Sequence, residues 1–284
     1  MLAYRHEFHA GNHADVLKHV VLVALLRHLT LKPTGLRAVD THAGAGLYAL
    51  GERGDGRRPE HLDGIARLFG RADLPPIVAD YVGLVGGFNR GGTLRRYPGS
   101  PLVAARLLRP QDQLRLYERH PRDLRILART MRATPNVEIH AADGFTAVAA
   151  QWPPPTRRGL LAIDPSYELK SDYARVPAAL REALARSAES TVMIWLPQLQ
   201  LLEAARLPDR LKAIADPLAR KGWLHARLTV AHADPRGFGL LGSSVFVVNP
   251  PHTLRPALAE ALPWLAEVLQ QGARAHALER SASA

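Results

Sequence analysis

Apolar and polar positions change their period along the chain, and this change predicts strands and helices in turn. Residues 14–29 are apolar on nearly every side of a helix, so we expect a buried helix there. Short apolar runs predict strands at residues 36–40, 113–118, 137–141, 159–164 and 191–196. Helix-period segments lie between most of them, at residues 100–108, 122–131, 177–187 and 207–221. The alternation predicts an α/β fold with a mainly parallel sheet and helices on both faces.

The last two predicted strands, residues 224–231 and 244–248, should run in opposite directions. The turn-rich segment 234–242 between them is too short to hold a crossover helix, and a direct connection requires antiparallel pairing. We therefore expect one antiparallel strand near the edge of the sheet.

Residues 51–95 interrupt this pattern. Charge-rich glycine turns there surround two short amphipathic segments, near residues 61–69 and 76–88, which predict helices. We expect an inserted small helical subdomain at 51–95, within a main domain built from residues 1–50 and 96–284. After the insertion, Ser100 before Pro101 predicts a helix N-cap followed by proline at the first helical position.

Composition and charge indicate which class of molecule the protein binds and in which cellular compartment it resides. The net charge of +11 favours a polyanion such as nucleic acid, although a coding bias toward arginine explains part of it, since only five of the 37 basic residues are lysine. The chain has no cysteine, no apolar run of membrane-spanning length and no apolar signal segment, so we expect a cytoplasmic protein without membrane contact.

The segment 159–167 carries the most specific chemistry. Its apolar run ends in Asp164, Pro165, Ser166 and Tyr167, which places an acid at the carboxyl end of a buried parallel strand, where α/β proteins bind ligands. The Asp164 carboxylate and the Pro165 carbonyl can accept N–H groups of an exocyclic amine, and Tyr167 can stack on a base. The alternative is an Asp-Pro turn that only ends the strand.

Acids and glycines at other strand ends predict a nucleoside-containing cofactor. Gly44 and Gly46 follow the first strand and allow close backbone approach, Glu118 suits ribose hydroxyls, and Asp143 with Gly144 suits the adenine. A plain tight turn explains the glycines equally well. No complete pyrophosphate or triphosphate loop motif is present, which agrees with S-adenosylmethionine because that cofactor has no phosphates.

Histidines cluster near the N-terminus, and their spacing permits a metal site. His6, His9, His13 and His19 lie close to Asp15. No acid-rich partner motif accompanies them, and caps or phosphate contacts explain histidine equally well. We therefore expect no metal.

Three blocks carry a resemblance over nearly the whole chain: residues 4–19, 40–46 and 97–101. They resemble the RlmJ family of 23S ribosomal RNA adenine-N6 methyltransferases. The resemblance implies a Rossmann-like class I methyltransferase fold, which the predicted sheet with its reversed strand also looks like, and S-adenosylmethionine as cofactor. In place of the family's Asp-Pro-Pro-Tyr, this chain has Ser166 where the second proline stands.

The resemblance also implies roles for individual residues. Asp164 is the implied catalytic residue, and Tyr4 is expected near the target base. The implied cofactor contacts are Lys18, His19, His42, Ser100, Glu118, Asp143 and Gly144. The inserted segment is implied to help hold RNA, and we expect Arg57, Arg58, Arg95 and Arg96 to contact phosphates there, because basic residues flank flexible glycines.

The predicted reaction is methylation of an extruded adenine at N6, held by Asp164 and Pro165 and stacked on Tyr167. The expected partner is 23S ribosomal RNA before full subunit assembly, bound by a monomer. Two alternatives stay open. One is a DNA adenine-N6 methyltransferase with the same strand tip, and the other is a noncatalytic nucleic-acid-binding homologue linked to use of external DNA.

Overall fold

A mixed eight-stranded sheet forms the centre of the molecule, and a two-stranded ladder lies beside it. The computed structural model describes residues 6–51 and 58–282. The strands are β1 Arg37–Asp40, β2 Leu47–Ala49, β3 Arg96–Pro98, β4 Gln113–Tyr117, β5 Val137–His140, β6 Gly159–Ile163, β7 Thr191–Gln198, β8 Trp223–Thr229, β9 Gly242–Val248 and β10 Ala275–Arg280. The large sheet has the order β10-β8-β9-β7-β6-β1-β4-β5, and β2 pairs with β3.

Helices cover both faces of the large sheet. They are α1 His13–Leu29, α2 Pro76–Gly86, α3 Ser100–Leu107, α4 Pro121–Met131, α5 Ala147–Gln151, α6 Asp172–Arg186, α7 Leu202–Leu218 and α8 Leu254–Leu269. Short 3-10 turns occur at His6–Phe8, Glu60–Asp63, Ile65–Arg67 and Gly144–Thr146. Within the described ranges, no helix is both long and apolar enough to cross a membrane.

Strand directions confirm the predicted sheet and add one strand to it. Strands β5, β4, β1, β6 and β7 are parallel, so their carboxyl ends meet at one edge. As predicted, β9 is antiparallel to β8, and it pairs with β7 in the same sense. A second reversed strand, β10, was not predicted. Every residue of β10 is exposed or only partly buried, so the sequence there has a weak apolar pattern.

The core consists of two apolar clusters, one on each face of the sheet. Side chains alternate between faces along each strand, so Ala38 belongs to one cluster and Val39 to the other. Helices α1, α2, α3 and α8 cover the first face, and α5, α6 and α7 cover the second. The prediction that α1 is buried is confirmed, because most of its residues, on nearly all sides of the helix, are buried.

The first predicted helix of the insertion is wrong in type. Residues 61–69 form two 3-10 turns on either side of Gly64 instead of a helix. A Cβ at Gly64 would lie 2.0 Å from the Gly11 carbonyl oxygen, and the Ile65 N–H donates to that same oxygen at 2.8 Å. This close backbone approach breaks the helix, and the adjacent Ile65 is buried in the apolar cluster that contains α1. The division of the chain at 51–95 remains a prediction.

The observed helices differ from the predicted ones in two further ways: three begin at a different residue or in a different manner, and two were not predicted. Ser100 was predicted as an N-cap, but it is the first residue of α3, and its hydroxyl hydrogen-bonds to Asp40 instead. Helices α6 and α7 begin before the predicted residues 177 and 207, with Pro177 and Pro208 inside them. Neither α5 nor α8 was predicted.

Candidate active site

The carboxyl ends of the parallel strands open into a cavity of about 660 Å³. Strand ends and the first turns of α1 and α3 supply its polar walls, as expected for the edge where parallel α/β sheets bind ligands. The cavity brings together most of the predicted cofactor residues, without Gly46, and three residues of the strand tip: Lys18, His19, His42, Gly44, Ser100, Glu118, Asp143, Gly144, Asp164, Pro165 and Ser166.

Glu118 is fixed at the end of β4 by two backbone donors. Its Oε2 accepts from the Gly44 N–H at 2.8 Å, and its Oε1 accepts from the His120 N–H at 2.6 Å. Burial raises the pKa of Glu118, and these two hydrogen bonds oppose the rise. Gly44 has φ +62°, and a Cβ there would lie 2.3 Å from the Tyr48 hydroxyl. The glycine turn is therefore required to bring the backbone to this carboxylate.

Asp143 closes the same wall from the end of β5. Its Oδ2 accepts from Arg175 at 2.7 Å and its Oδ1 from the Phe145 N–H at 3.1 Å. Burial would raise the pKa of Asp143, but these hydrogen bonds and the charge of Arg175 bring it below its usual range. A Cβ at Gly144 would lie 1.6 Å from the Thr41 carbonyl oxygen, so only glycine permits this contact between strand ends.

Lys18 joins the strand tip to α1. Its Nζ donates to Asp164 Oδ2 at 2.6 Å and lies 2.8 Å from Asp15 Oδ1. Burial favours neutral lysine, but the two carboxylates hold the pKa of Lys18 well above its ordinary value. Burial raises the pKa of Asp164, and the Lys18 ammonium opposes that rise. The pair leaves Asp164 Oδ1 without a hydrogen-bond partner among the described residues.

Asp15 extends this charge network to the N-terminal segment. Its Oδ2 lies 3.0 Å from His6 Nε2 and accepts from the Gly11 N–H at 2.9 Å. Burial opposes ionisation of Asp15, but His6 and Lys18 together hold its pKa well below the usual range. The sequence suggested only a possible metal ligand at Asp15. Its position three residues before Lys18, on one face of α1, was the signal for an ion pair.

His19 and His42 are neutral polar groups in the cavity wall. Burial lowers the pKa of His19 to about 3 and that of His42 to about 4. His19 Nδ1 hydrogen-bonds to the Tyr97 hydroxyl at 2.6 Å, while its buried Nε2 has no partner within residues 6–51 and 58–282. This nitrogen is therefore a buried polar group without a partner among the described residues, next to the cavity.

Asp40 is a buried acid next to the cavity residues Thr41 and His42, and it was not predicted from the sequence. It ends β1, is 5% exposed, and its Oδ1 accepts from the His42 N–H at 3.1 Å. Burial raises the pKa of Asp40 to about 6, with Ser100 and the His42 N–H acting in the opposite direction. An acid at the end of the first strand, directly before the glycine turn, was the available signal.

Tyr167 does not line the cavity. Its ring is 5% exposed and packs near Tyr173 and Trp195, and its hydroxyl donates to the Trp195 carbonyl at 2.8 Å. Its φ is +55°, in the left-handed region that is rare for bulky residues. In this conformation the structure does not present the ring to a base, whereas Pro165 and Ser166 face the cavity.

The structure describes only some of the residues that were predicted to contact RNA. Tyr4 and Arg57 lie outside the described residues. Arg58, Arg95 and Arg96 are exposed, and Arg58 lies 2.9 Å from Asp63. Over residues 6–51 and 58–282, no group of three histidine, cysteine, aspartate or glutamate side chains is arranged to hold a metal ion.

Comparisons with known proteins agree on one family. The family model described as RsmJ, ribosomal RNA large subunit methyltransferase D, RlmJ, matches residues 33–279. The ribosomal RNA large subunit methyltransferase J of Escherichia coli K12 is 41% identical over 98% of this chain and 97% of its own length. The protein of the same name from Haemophilus influenzae is 43% identical over 95% and 94%. A crystal structure of a Legionella pneumophila protein has a TM-score of 0.87 at 31% identity, covering 96% of this chain and 99% of that one.

Proposed function

The chain belongs to the ribosomal RNA large subunit methyltransferase J family, and we propose on that basis that it transfers a methyl group from S-adenosylmethionine to N6 of one adenosine in 23S ribosomal RNA. The observation that carries the assignment to this site is Asp164, held by Lys18 at the end of β6 in the cavity that also contains Glu118. The proposed nucleophile is the N6 nitrogen of adenine, which needs hydrogen-bond acceptors and no strong base, because the proton that it loses after the methyl transfer can pass to Asp164 or to water.

The cavity residues fit S-adenosylmethionine. A cavity of about 660 Å³ lies within the usual range for a small-molecule site. Glu118 would accept from the ribose hydroxyls, Asp143 and Gly144 would contact the adenine, and the unpaired Nε2 of His19 offers a polar contact for the amino-acid part. The remaining proposed cofactor contacts are Lys18, His42, Gly44, Ser100 and Asp164. When bound, the cofactor supplies an electrophilic methyl group.

Asp164 and Pro165 are proposed to orient the target amine. Lys18 occupies Asp164 Oδ2, so Oδ1 can accept one N–H of the adenine amine, and the Pro165 carbonyl can accept the other. These two acceptors would draw the amine out of conjugation with the ring and direct its lone pair at the methyl group. Lys18 would keep Asp164 ionised and fixed, so orientation supplies most of the rate.

Tyr167 is proposed to stack on the extruded adenine after a local rearrangement. In the present conformation its hydroxyl is bound to the Trp195 carbonyl and its left-handed backbone is strained, at a typical cost of about 1–3 kcal/mol. Entry of a base would replace the aromatic contacts of Tyr167 and release that strain. The Tyr167 ring is therefore proposed to leave its pocket near Trp195 and to stack on the base.

The RNA is proposed to reach the cavity across the inserted segment 51–95. Arg57, Arg58, Arg95 and Arg96 would contact phosphates, and Tyr4 would lie near the target base. We further propose that the enzyme acts as a cytoplasmic monomer on 23S RNA before subunit assembly is complete. Methylation of matched RNA and DNA hairpins by the purified protein tests the substrate class. Transfer to DNA alone would favour the DNA adenine methyltransferase, and cofactor binding without transfer would favour a noncatalytic homologue.

A further inference from the structure

Helix α4 carries a row of exposed arginines. At 3.6 residues per turn the row lies within an arc of about 80°, roughly opposite the buried Leu127 of the same helix. All of its members are exposed: Arg122, Arg125, Arg129 and Arg132. The two faces of α4 are therefore sharply divided into an apolar side packed on the protein and a guanidinium side open to solvent.

The positive charge of this row is not balanced locally. Among the described residues, no acid forms a salt bridge with Arg125, Arg129 or Arg132. Arg125 Nε donates only to the backbone carbonyl of Pro121, at 3.2 Å. Arg122 is the exception, because Glu7 binds its two terminal nitrogens at 3.1 and 2.9 Å.

Some exposed arginines elsewhere in the chain have acidic partners. Arg71 lies 2.6 Å from Asp73, and Arg186 lies 2.9 Å from Glu182. Arg236 likewise lies 3.0 Å from Asp234. Within the described ranges, exposed arginines without an acidic partner also occur singly elsewhere, for example Arg181, Arg220 and Arg255. The α4 row is distinguished by the arrangement of its arginines on one side of one helix, where their charges act together on an external anion.

The row begins at the wall of the active-site cavity. Helix α4 starts three residues after Glu118, and Arg119 between them lines the cavity. From Arg122 to Arg132 the helix advances about 15 Å, which spans the phosphates of several stacked nucleotides. Strand β2 packs on α4 and pairs with β3, which carries Arg96. Helix α4 therefore starts beside the cavity and packs on the ladder that carries Arg96.

We propose that Arg125, Arg129 and Arg132 bind the phosphate backbone of the ribosomal RNA next to the target adenosine, an inference that rests on the proposed function. Guanidinium groups bind phosphate oxygens in a bidentate manner, and a row that contacts phosphates does not read the base sequence directly. Its role is therefore to position the RNA, without selecting its sequence.

The test replaces Arg125, Arg129 and Arg132 together by glutamine. A matched control replaces Arg181, Arg220 and Arg255, which are also exposed and change the net charge equally. Dissociation constants and methylation kinetics are measured with one ribosomal RNA hairpin at several salt concentrations. Circular dichroism and cofactor affinity establish that each variant is folded, and Arg129→Gln alone replaces the triple variant if that one is not.

We expect the α4 variant to bind the hairpin about tenfold more weakly or worse at physiological salt, and its salt slope to fall by about 2 to 3. Turnover at saturating RNA should be unchanged, and the control variant should match the wild type. Equal affinity and slope in the α4 variant and the wild type, or equal losses in the control, would overturn the inference. A hairpin that the wild type binds but does not methylate would instead count against the proposed function.

Discussion

The Lys18 ammonium lies 2.6 Å from Asp164 Oδ2 and also contacts Asp15 Oδ1, so one buried cation holds two carboxylates from distant parts of the chain. Removing it leaves Asp164 buried without its cation, and leaves Asp15 with only His6 and the Gly11 N–H among the described residues. We expect Lys18→Met to lose methyl transfer and to destabilise the fold by about 3–5 kcal/mol, the range for a broken buried ion pair. Chemical denaturation and a methylation assay measure the two effects.

Lys212→Met is the matched control, because Lys212 forms a more exposed pair with Glu279 at 2.8 Å. Such a pair contributes about 1 kcal/mol or less. If the two variants lost the same stability and the Lys18 variant kept its activity, the proposed function of the Lys18–Asp164 pair would be wrong.

Glu118→Ala should weaken S-adenosylmethionine binding strongly, by about tenfold or more, because both ribose hydroxyls would lose a charged acceptor. Calorimetry of the purified protein measures the affinity. Glu138→Ala is the control, since Glu138 lies on the neighbouring strand and is 58% exposed, away from the cavity. Unchanged affinity in the Glu118 variant would show that this carboxylate does not hold the cofactor.

The sequence predicted the parts of the site that depend on strand order. Parallel strands place their carboxyl ends at one edge, so Glu118, Asp143 and Asp164 could be grouped before any coordinates were considered. The Lys18–Asp164 pair could not be predicted from the residues alone, because it joins positions 146 residues apart through the packing of α1. Asp164 was identified at the tip of a predicted strand, whereas Lys18 entered only through the family resemblance.

Other features depend on contacts that leave no periodic pattern. Gly64 breaks a predicted helix because its backbone approaches Gly11, and glycine by itself does not identify the neighbour that requires it. Tyr167 was expected to face a base, but an apolar pocket and the Trp195 carbonyl were available to bury it. Local sequence therefore predicted the chemical groups more successfully than their conformations.

Asp40 should make the stability of the protein depend on pH. Its pKa is about 6 in the fold, whereas an unfolded aspartate titrates near 3.9. Between these values the folded chain binds more protons, so this group lowers stability as the pH rises from about 4 to 6. We expect Asp40→Asn to be more stable than the wild type by at most about 3 kcal/mol at pH 7, and the difference to vanish near pH 4. A difference that is the same at both pH values would contradict a perturbed Asp40.

Ser166 should influence the rate through the strand tip. A proline there would restrict Pro165 to an extended conformation and hold its carbonyl in place, whereas serine can restrain the loop only by hydrogen bonding. We expect Ser166→Pro to be equal to or faster than the wild type and Ser166→Gly to be slower, because glycine adds backbone freedom. Single-turnover methylation of one RNA hairpin compares the three proteins. Activity in Ser166→Pro alone would identify the natural chain as a noncatalytic homologue.

Mass spectrometry of 23S ribosomal RNA measures whether Asp164 directs N6-methylation of one adenosine in that RNA. RNA from a strain lacking the gene should have lost one N6-methyladenosine. The wild-type gene should restore it, and Asp164→Ala should not, although the purified variant should bind S-adenosylmethionine within about tenfold of the wild type. If every N6-methyladenosine persisted in the deletion strain, or if Asp164→Ala restored the modification fully, this protein or its Asp164 would not be responsible for the methylation.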